Sequence, residues 1–114
     1  MSKMSLTASP PSTRTDGSAA AATDIASVTF QKVPNGGTAI QVLQTNTAAT
    51  GAVLQASDLA FTDSSATAGD EYTCFFTDTH GTEGTVSNDV IAKAVAPPPL
   101  APLSAGTLTG TFTA

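Results

Sequence analysis

The chain has 114 residues, of which 40% are hydrophobic and 11% charged, with a net charge of −5. That length holds one domain plus tails, and four basic residues (Lys3, Arg14, Lys32 and Lys93) do not form the cationic cluster that nucleic acid or an anionic membrane surface requires. The single Cys, Cys74, excludes an intrachain disulfide, and no run approaches the roughly 20 apolar residues of a membrane span.

About twenty residues are alanine. Alanine supplies close to half of the apolar content, so large side chains available to a core are few. Burial yields about 25 cal/mol per Å², so this composition predicts modest stability for the isolated chain, or help from assembly. The opening "MSKMSLTASPP" has no apolar run of the signal-peptide kind, and the expectation is synthesis and folding in a reducing cytoplasm.

In chain order, Met4 to Ser9 alternates and stops at Pro10-Pro11, which reads as a strand ended by residues that cannot donate to a ladder. Ser18 to Thr23, "SAAAAT", has helical propensity but is short and uncapped, and is predicted as a strand in an all-strand context. Ile25 to Val33 is a strand with Ala26, Val28 and Phe30 on one face and Ser27, Thr29 and Gln31 on the other. "PNGG" at Pro34 to Gly37 predicts a hairpin with a return strand at Thr38 to Gln44. Thr45 to Gly51 reads as a loop, and Ala52 to Gln55 and Leu59 to Thr62 as short strands. Glu71 to Asp78 is a strand, "THGTEG" a turn, and Thr85 to Ala94 another strand.

About seven strands at turn spacings of roughly 8–12 residues, without an amphipathic helix, predict an all-β sandwich. The domain is expected over residues 1–95. Residues 96–103, "APPPLAPL", read as a stiff proline-rich linker. Residues 104–114 read as a strand-like C-terminal arm, with Leu108 and Phe112 on one face. Such an arm invites addition to the sheet edge of a neighbouring molecule; a disordered tail or a return onto its own domain are the alternatives.

The stretch "GDEYTCFF" at Gly69 to Phe76 places Tyr72 two residues before Cys74. It resembles the tyrosine corner of immunoglobulin domains. With "GTVSNDVIAKA" it is similar to fibronectin type III and related Ig-like modules, through Gly69, Tyr72, Ser87 and Asn88. The resemblance implies a single Ig-like sandwich in which the Tyr72 ring packs inward and its hydroxyl bonds a backbone group a few residues upstream. Cys74 and Phe76 then follow into the core by period two, and Cys74 acts as a small buried hydrophobe. The family's core Trp is absent, and Phe30 is expected to fill comparable space. Phe75 then faces outward, either as an isolated exposed apolar residue or as an interface anchor.

Candidate chemistry is sparse. Asp58, Asp63, Asp70, Glu71, Asp78, Glu83 and Asp89 lack calcium-loop spacing and are expected to cap turns and maintain solubility. His80, the only His, lies in "DTHG", a predicted turn without triad geometry. No metal, cofactor, catalytic residue or small-molecule substrate is expected. In profile the chain looks like the small Ig-like accessory proteins of tailed-phage virions, such as capsid decoration or cement proteins. That resemblance implies a virion component made in the host cytoplasm. Its partners would be a major capsid protein or copies of itself, with Phe75, Leu108 and Phe112 at the interface. A tail, neck or fibre module and a cell-surface adhesion or carbohydrate-binding module are the alternatives, with an enzyme last.

Overall fold

Seven strands account for nearly all the regular structure in a computed structural model of the chain, which describes residues 3–87, 90–91 and 104–114. They are β1 (Lys3–Ser9), β2 (Ile25–Val33), β3 (Gln41–Thr47), β4 (Ala60–Asp63), β5 (Glu71–Asp78), the two-residue β6 (Val90–Ile91) and β7 (Thr107–Thr113). They form two antiparallel sheets, ordered β4-β1-β7 and β3-β2-β5-β6.

The sheets share one apolar core. Met4, Leu6, Ala8 and Leu108 enter it from the first sheet, and Ile25, Val28, Phe30, Tyr72, Cys74 and Phe76 from the second. The β5 sequence explains its own placement: Tyr72, Cys74 and Phe76 alternate with half-buried Thr73, Phe75 and Thr77, as period two demands. Phe30 of β2 stacks on Phe61 of β4 across the layers, with centroids 5.6 Å apart and planes at 24°. This offset stacking is a favourable geometry for aromatic pairs, and it places Phe30 in the core position expected for it.

Strand β2 lies between β3 and β5. Its outward-facing Ser27, Thr29 and Gln31 are therefore buried along with its inward residues. A bulge between Ile25 and Ser27 turns Ile25 into the core and leaves Ala26 half-buried, which shifts the expected inward phase at the start of this strand.

Several sequence expectations are corrected. Residues 18–23 do not form a strand. Ala19 makes one isolated bridge to Thr13, and a 3-10 turn at Ala22–Asp24 follows. Side-chain capping wins here: Asp16 Oδ1 accepts from Ser18 N–H, and Asp24 Oδ2 accepts from Ala21 N–H, which are bonds a ladder does not supply. The "PNGG" segment makes a tight turn, with Gly37 N–H bonded to the Pro34 carbonyl at 2.8 Å and Gly36 at φ +81°. It does not directly join two strands, because the return strand begins only at Gln41. The Asn35 N–H, free for a hairpin ladder, is taken by Asp70 Oδ1 at 2.7 Å. Residues 52–55 are loop, closed by Asp58 Oδ2 on the Gln55 N–H.

The segment 104–114 is also not a projecting arm. Strand β7 pairs with β1 of its own chain over seven positions, from Lys3↔Thr113 to Ser9↔Thr107. Its alternation puts Leu108 at 2% exposure in the core and packs half-buried Phe112 against that core. The face required by Leu108 and Phe112 is supplied by Met4, Leu6 and Ala8 of β1, so an intrachain partner completes the sheet. The proline-rich linker 96–103, the domain boundary at residue 95, Asn88, Asp89 and residues 92–94 of the last predicted strand lie outside the described residues.

Candidate functional site

At one end of the two layers, β2, β4, β5 and the turn that leads into β5 bring four polar side chains together. Lys32 sits at an inward position of β2, two residues beyond Phe30. Its Nζ donates to Asp63 Oδ2 at 2.8 Å and to Asp70 Oδ2 at 3.3 Å, and its ammonium lies 5.9 Å from the centroid of the Tyr72 ring. The Tyr72 hydroxyl donates to Asp63 Oδ2 at 2.7 Å and Asp70 Oδ2 at 3.5 Å. The expected backbone acceptor for Tyr72 is thus replaced by carboxylates. All four residues are under a tenth exposed.

Backbone amides complete the carboxylate shells. Asp63 Oδ1 accepts from Ser65 N–H, while Asp70 accepts from Asn35 and Thr67 N–H. Among the described residues, no buried side-chain nitrogen or oxygen lacks a partner. Gly69 permits the approach of this corner: it has φ +94°, and a Cβ there would lie 2.6 Å from Asn35 Oδ1. This is a physical reason for glycine three residues before Tyr72.

These contacts fix the protonation states. Burial alone would lower the pKa of Lys32, but its hydrogen bonds to Asp63 and Asp70 outweigh that and raise it above the ordinary value. Burial would likewise raise both carboxyls. For Asp63, the bonds from Lys32, Tyr72 and Ser65 reverse the sign; for Asp70, those from Asn35, Thr67 and Lys32 do so. Burial and then the neighbouring carboxylates push the Tyr72 phenol well above its ordinary range. The cluster therefore holds an ammonium, two carboxylates and a neutral phenol, and its arrangement fastens one sheet to the other.

Burial also pushes the Cys74 thiol up to about 11, against an opposing hydrogen bond involving Ser87. Ser87 brackets this residue: Cys74 N–H donates to Ser87 Oγ at 2.9 Å, and Ser87 N–H donates to the Cys74 carbonyl at 2.7 Å. At the opposite end of β5, Asp78 collects His80 and Thr82 N–H on Oδ1 and Arg14 on Oδ2 at 3.1 Å. His80 is exposed. The expected turn-capping role thus describes Asp58, Asp63, Asp70 and Asp78 among the acids singled out in the sequence, and Asp16 and Asp24, which are not among them, cap as well. However, Asp63, Asp70 and Asp78 are buried and do not serve solubility.

Outside the core, the β3-β2-β5 face is lined with hydroxyls and amides. Thr29 and Thr45 share a hydrogen bond at 3.0 Å, and Gln31 Nε2 donates to Thr73 Oγ1 at 3.1 Å. Phe75, half-buried, stands opposite Thr29 on this face. A separate depression of about 290 Å³ is lined by Thr23, Ala26, Thr47, Ala49, Thr50 and Thr79 among others.

Of the expected interface residues, only Phe75 is on an outer face. Leu108 is in the core, and Phe112 packs against it. Tyr72, Cys74, Phe30 and Phe76 are all in the core, as expected. The Lys32–Asp63–Asp70 association was not foreseen from the sequence. Its signal is parity, because Lys32 continues the inward phase of Val28 and Phe30. Comparison of the chain with family models, curated proteins and solved structures gives no match.

Proposed function

We propose that this protein is a virion structural component of the capsid-decoration or cement type: an Ig-like sandwich that binds a preformed phage shell in many copies and stabilises it. The observation carrying this reading is the outer face of β3-β2-β5. Through the Thr29–Thr45 and Gln31–Thr73 bonds, buried Thr29 and Gln31 hold the accessible side chains of Thr45 and Thr73 in place near Phe75. Side chains already ordered lose little rotamer freedom on docking, and an aromatic residue amid neutral polar groups suits a protein interface. With β7 engaged by β1, contact with the major capsid protein is assigned to sheet faces rather than to a free arm. Each contact is small, and repetition over a lattice multiplies its effect.

The test mixes purified protein with shells from the source that lack it. Co-sedimentation and a higher shell-disruption temperature are expected. Phe75→Ser should weaken binding about tenfold, equivalent to the loss of a 1.4 kcal/mol contact, while leaving the unfolding midpoint near that of the parent. Absence of association at saturating concentration rejects this function. Binding to tails alone, or to specific glycans, replaces it with the tail-module or adhesion alternative.

A further inference from the structure

The turn that follows β2 presents Asn35 and Gly36 at the surface, both exposed. Gly37 N–H bonds the Pro34 carbonyl at 2.8 Å. Gly36 has φ +81°, and among the described residues no residue other than glycine has positive φ. Those values make residues 34–37 a type II turn, with Asn35 at its second position and Gly36 at its third. The Asn35 N–H is held by Asp70 Oδ1 at 2.7 Å. Its side chain lies over Gly69, where a Cβ would meet Asn35 Oδ1 at 2.6 Å.

No hydrogen bond restrains the peptide between these two residues. Among the described residues, neither the Asn35 carbonyl nor the Gly36 N–H has a bonded partner, and the Asn35 carboxamide makes no bond either. Gly36 has no Cβ to oppose rotation, and the space where one would sit is open. Asn46 is the contrast. Its Nδ2 donates to the Asp58 carbonyl at 2.8 Å, and its Oδ1 accepts from Gln44 Nε2 at 2.9 Å. It is paired with Val28 in the β2–β3 ladder, and the stiff, β-branched Thr47 follows it.

We infer that Asn35 is a site of spontaneous deamidation in the folded protein. Rotation of the unrestrained peptide out of the type II geometry turns the Gly36 nitrogen toward Asn35 Cγ. That nitrogen gives up its proton to solvent and bonds Cγ; the Cγ–Nδ2 bond breaks, and Nδ2 takes up a proton and leaves as ammonia. Water then opens the cyclic imide at either carbonyl. One opening leaves aspartate at position 35. The other leaves isoaspartate, with the chain running through the former side chain. Either product adds one negative charge, beside Asp70, to a chain whose net charge is −5. Lys32 is the cation that Asp63 and Asp70 share, so a further carboxylate at this corner adds like-charge repulsion. Isoaspartate also lengthens the turn that the Gly37–Pro34 bond closes. Deamidation therefore weakens the corner that fastens the sheets as the protein ages, and it does not depend on the shell reading.

Ageing the full chain in native buffer, followed by ion exchange and by peptide fragmentation in a mass spectrometer, tests this. An acidic species should accumulate, with the Asn-to-Asp mass gain located at position 35 and Asn46 unchanged. Its urea midpoint should lie below that of fresh protein. Asn35→Ser keeps the backbone bond to Asp70 and should not form this species over the same period. Asn35→Asp reproduces the charge without altering the backbone and should also lower the midpoint. An Asn35 amide that survives ageing overturns the inference, and its loss in a parallel sample unfolded in urea would show that the native turn blocks the attack. Equal loss at Asn35 and Asn46 overturns it too, as does the same acidic species in Asn35→Ser. An aged fraction and an Asn35→Asp variant that both keep the parent's midpoint overturn the coupling to the Asp70 corner.

Discussion

Lys32 Nζ and Asp63 Oδ2 meet at 2.8 Å across the two layers, one residue from β2 and the other from the end of β4. The pair is buried, so its Coulombic attraction is weakly screened, and both ions have lost most of their water. Such a pair need not stabilise relative to apolar residues of the same shape, but removing one partner is costly. Lys32→Met leaves Asp63 and Asp70 buried without a cation. It should lower the unfolding free energy by about 3–5 kcal/mol, read from urea denaturation. A loss below about 1 kcal/mol would place the pair among exposed ion pairs and remove its role as the fastening between sheets.

Stability should be flat between about pH 5 and pH 8.5 and fall on both sides, for different reasons. The folded pKa values of Asp63, Asp70 and Asp78 lie below the ordinary 3.8. Their contribution is present above that value and is lost as pH falls through the folded values. On the alkaline side Cys74 rises from 9.0 to about 11, and Lys32 and Tyr72 are also raised. These contributions are complete below the unfolded values and are lost as pH rises toward the folded ones. Cys74→Val should therefore keep the acid limb and delay the alkaline fall until Tyr72 and Lys32 titrate. Thermal unfolding across pH checks both limbs, and an unchanged alkaline onset in Cys74→Val would assign it elsewhere.

What the sequence discloses depends on how local the cause is. The alternation of Tyr72, Cys74 and Phe76 identifies β5 and its buried face directly, because period two needs no distant partner. The strand at Thr107–Thr113 is equally legible, but its partner is not: β1 lies at the other end of the chain, and nothing near Leu108 names Met4, Leu6 or Ala8. Lys32 is separated from Asp63 by 31 positions and from Asp70 by 38, and charged residues in isolation read as solvated. Only the position of Lys32 in the inward phase of β2 hints that it is buried. The "PNGG" hairpin signal is real as a turn, yet Asp70 takes the Asn35 N–H from a distant turn and delays the return strand.

Removal of residues 104–114 should damage the fold rather than a peripheral contact. Strand β7 covers one side of β1 over seven paired positions and supplies Leu108 to the core. Without it, Met4, Leu6 and Ala8 line an unpaired edge, and aggregation is expected. Leu108→Ala should cost about 2–5 kcal/mol, while Thr109→Ala, exposed on the same strand, should stay within about 0.5 kcal/mol. Gly106→Ala should also destabilise, since a Cβ there would lie 2.7 Å from a Phe76 ring carbon. A truncated chain that is soluble with the parent's urea midpoint would place β7 outside the cooperative unit.

Ser87 should matter more than its size suggests, because its Oγ accepts the Cys74 N–H and its own N–H reaches the Cys74 carbonyl. Among the described residues the pairing of β5 with β6 is otherwise short, Glu71↔Ile91 and Tyr72↔Val90, and Ser87 adds two bonds on that side of β5. Ser87→Ala removes the acceptor and leaves a buried N–H unsatisfied, at a cost of about 1–3 kcal/mol. Cys74→Val keeps the N–H bonded and changes only side-chain volume, so it should cost less than about 1.5 kcal/mol. The native thiol should react with a labelling reagent only at the rate of local or global opening, and Ser87→Ala should accelerate that labelling because it loosens the segment beside Cys74. Fast labelling in the parent, or no change in Ser87→Ala, would mean that the thiol is reached by a route that does not involve parting this segment from β5.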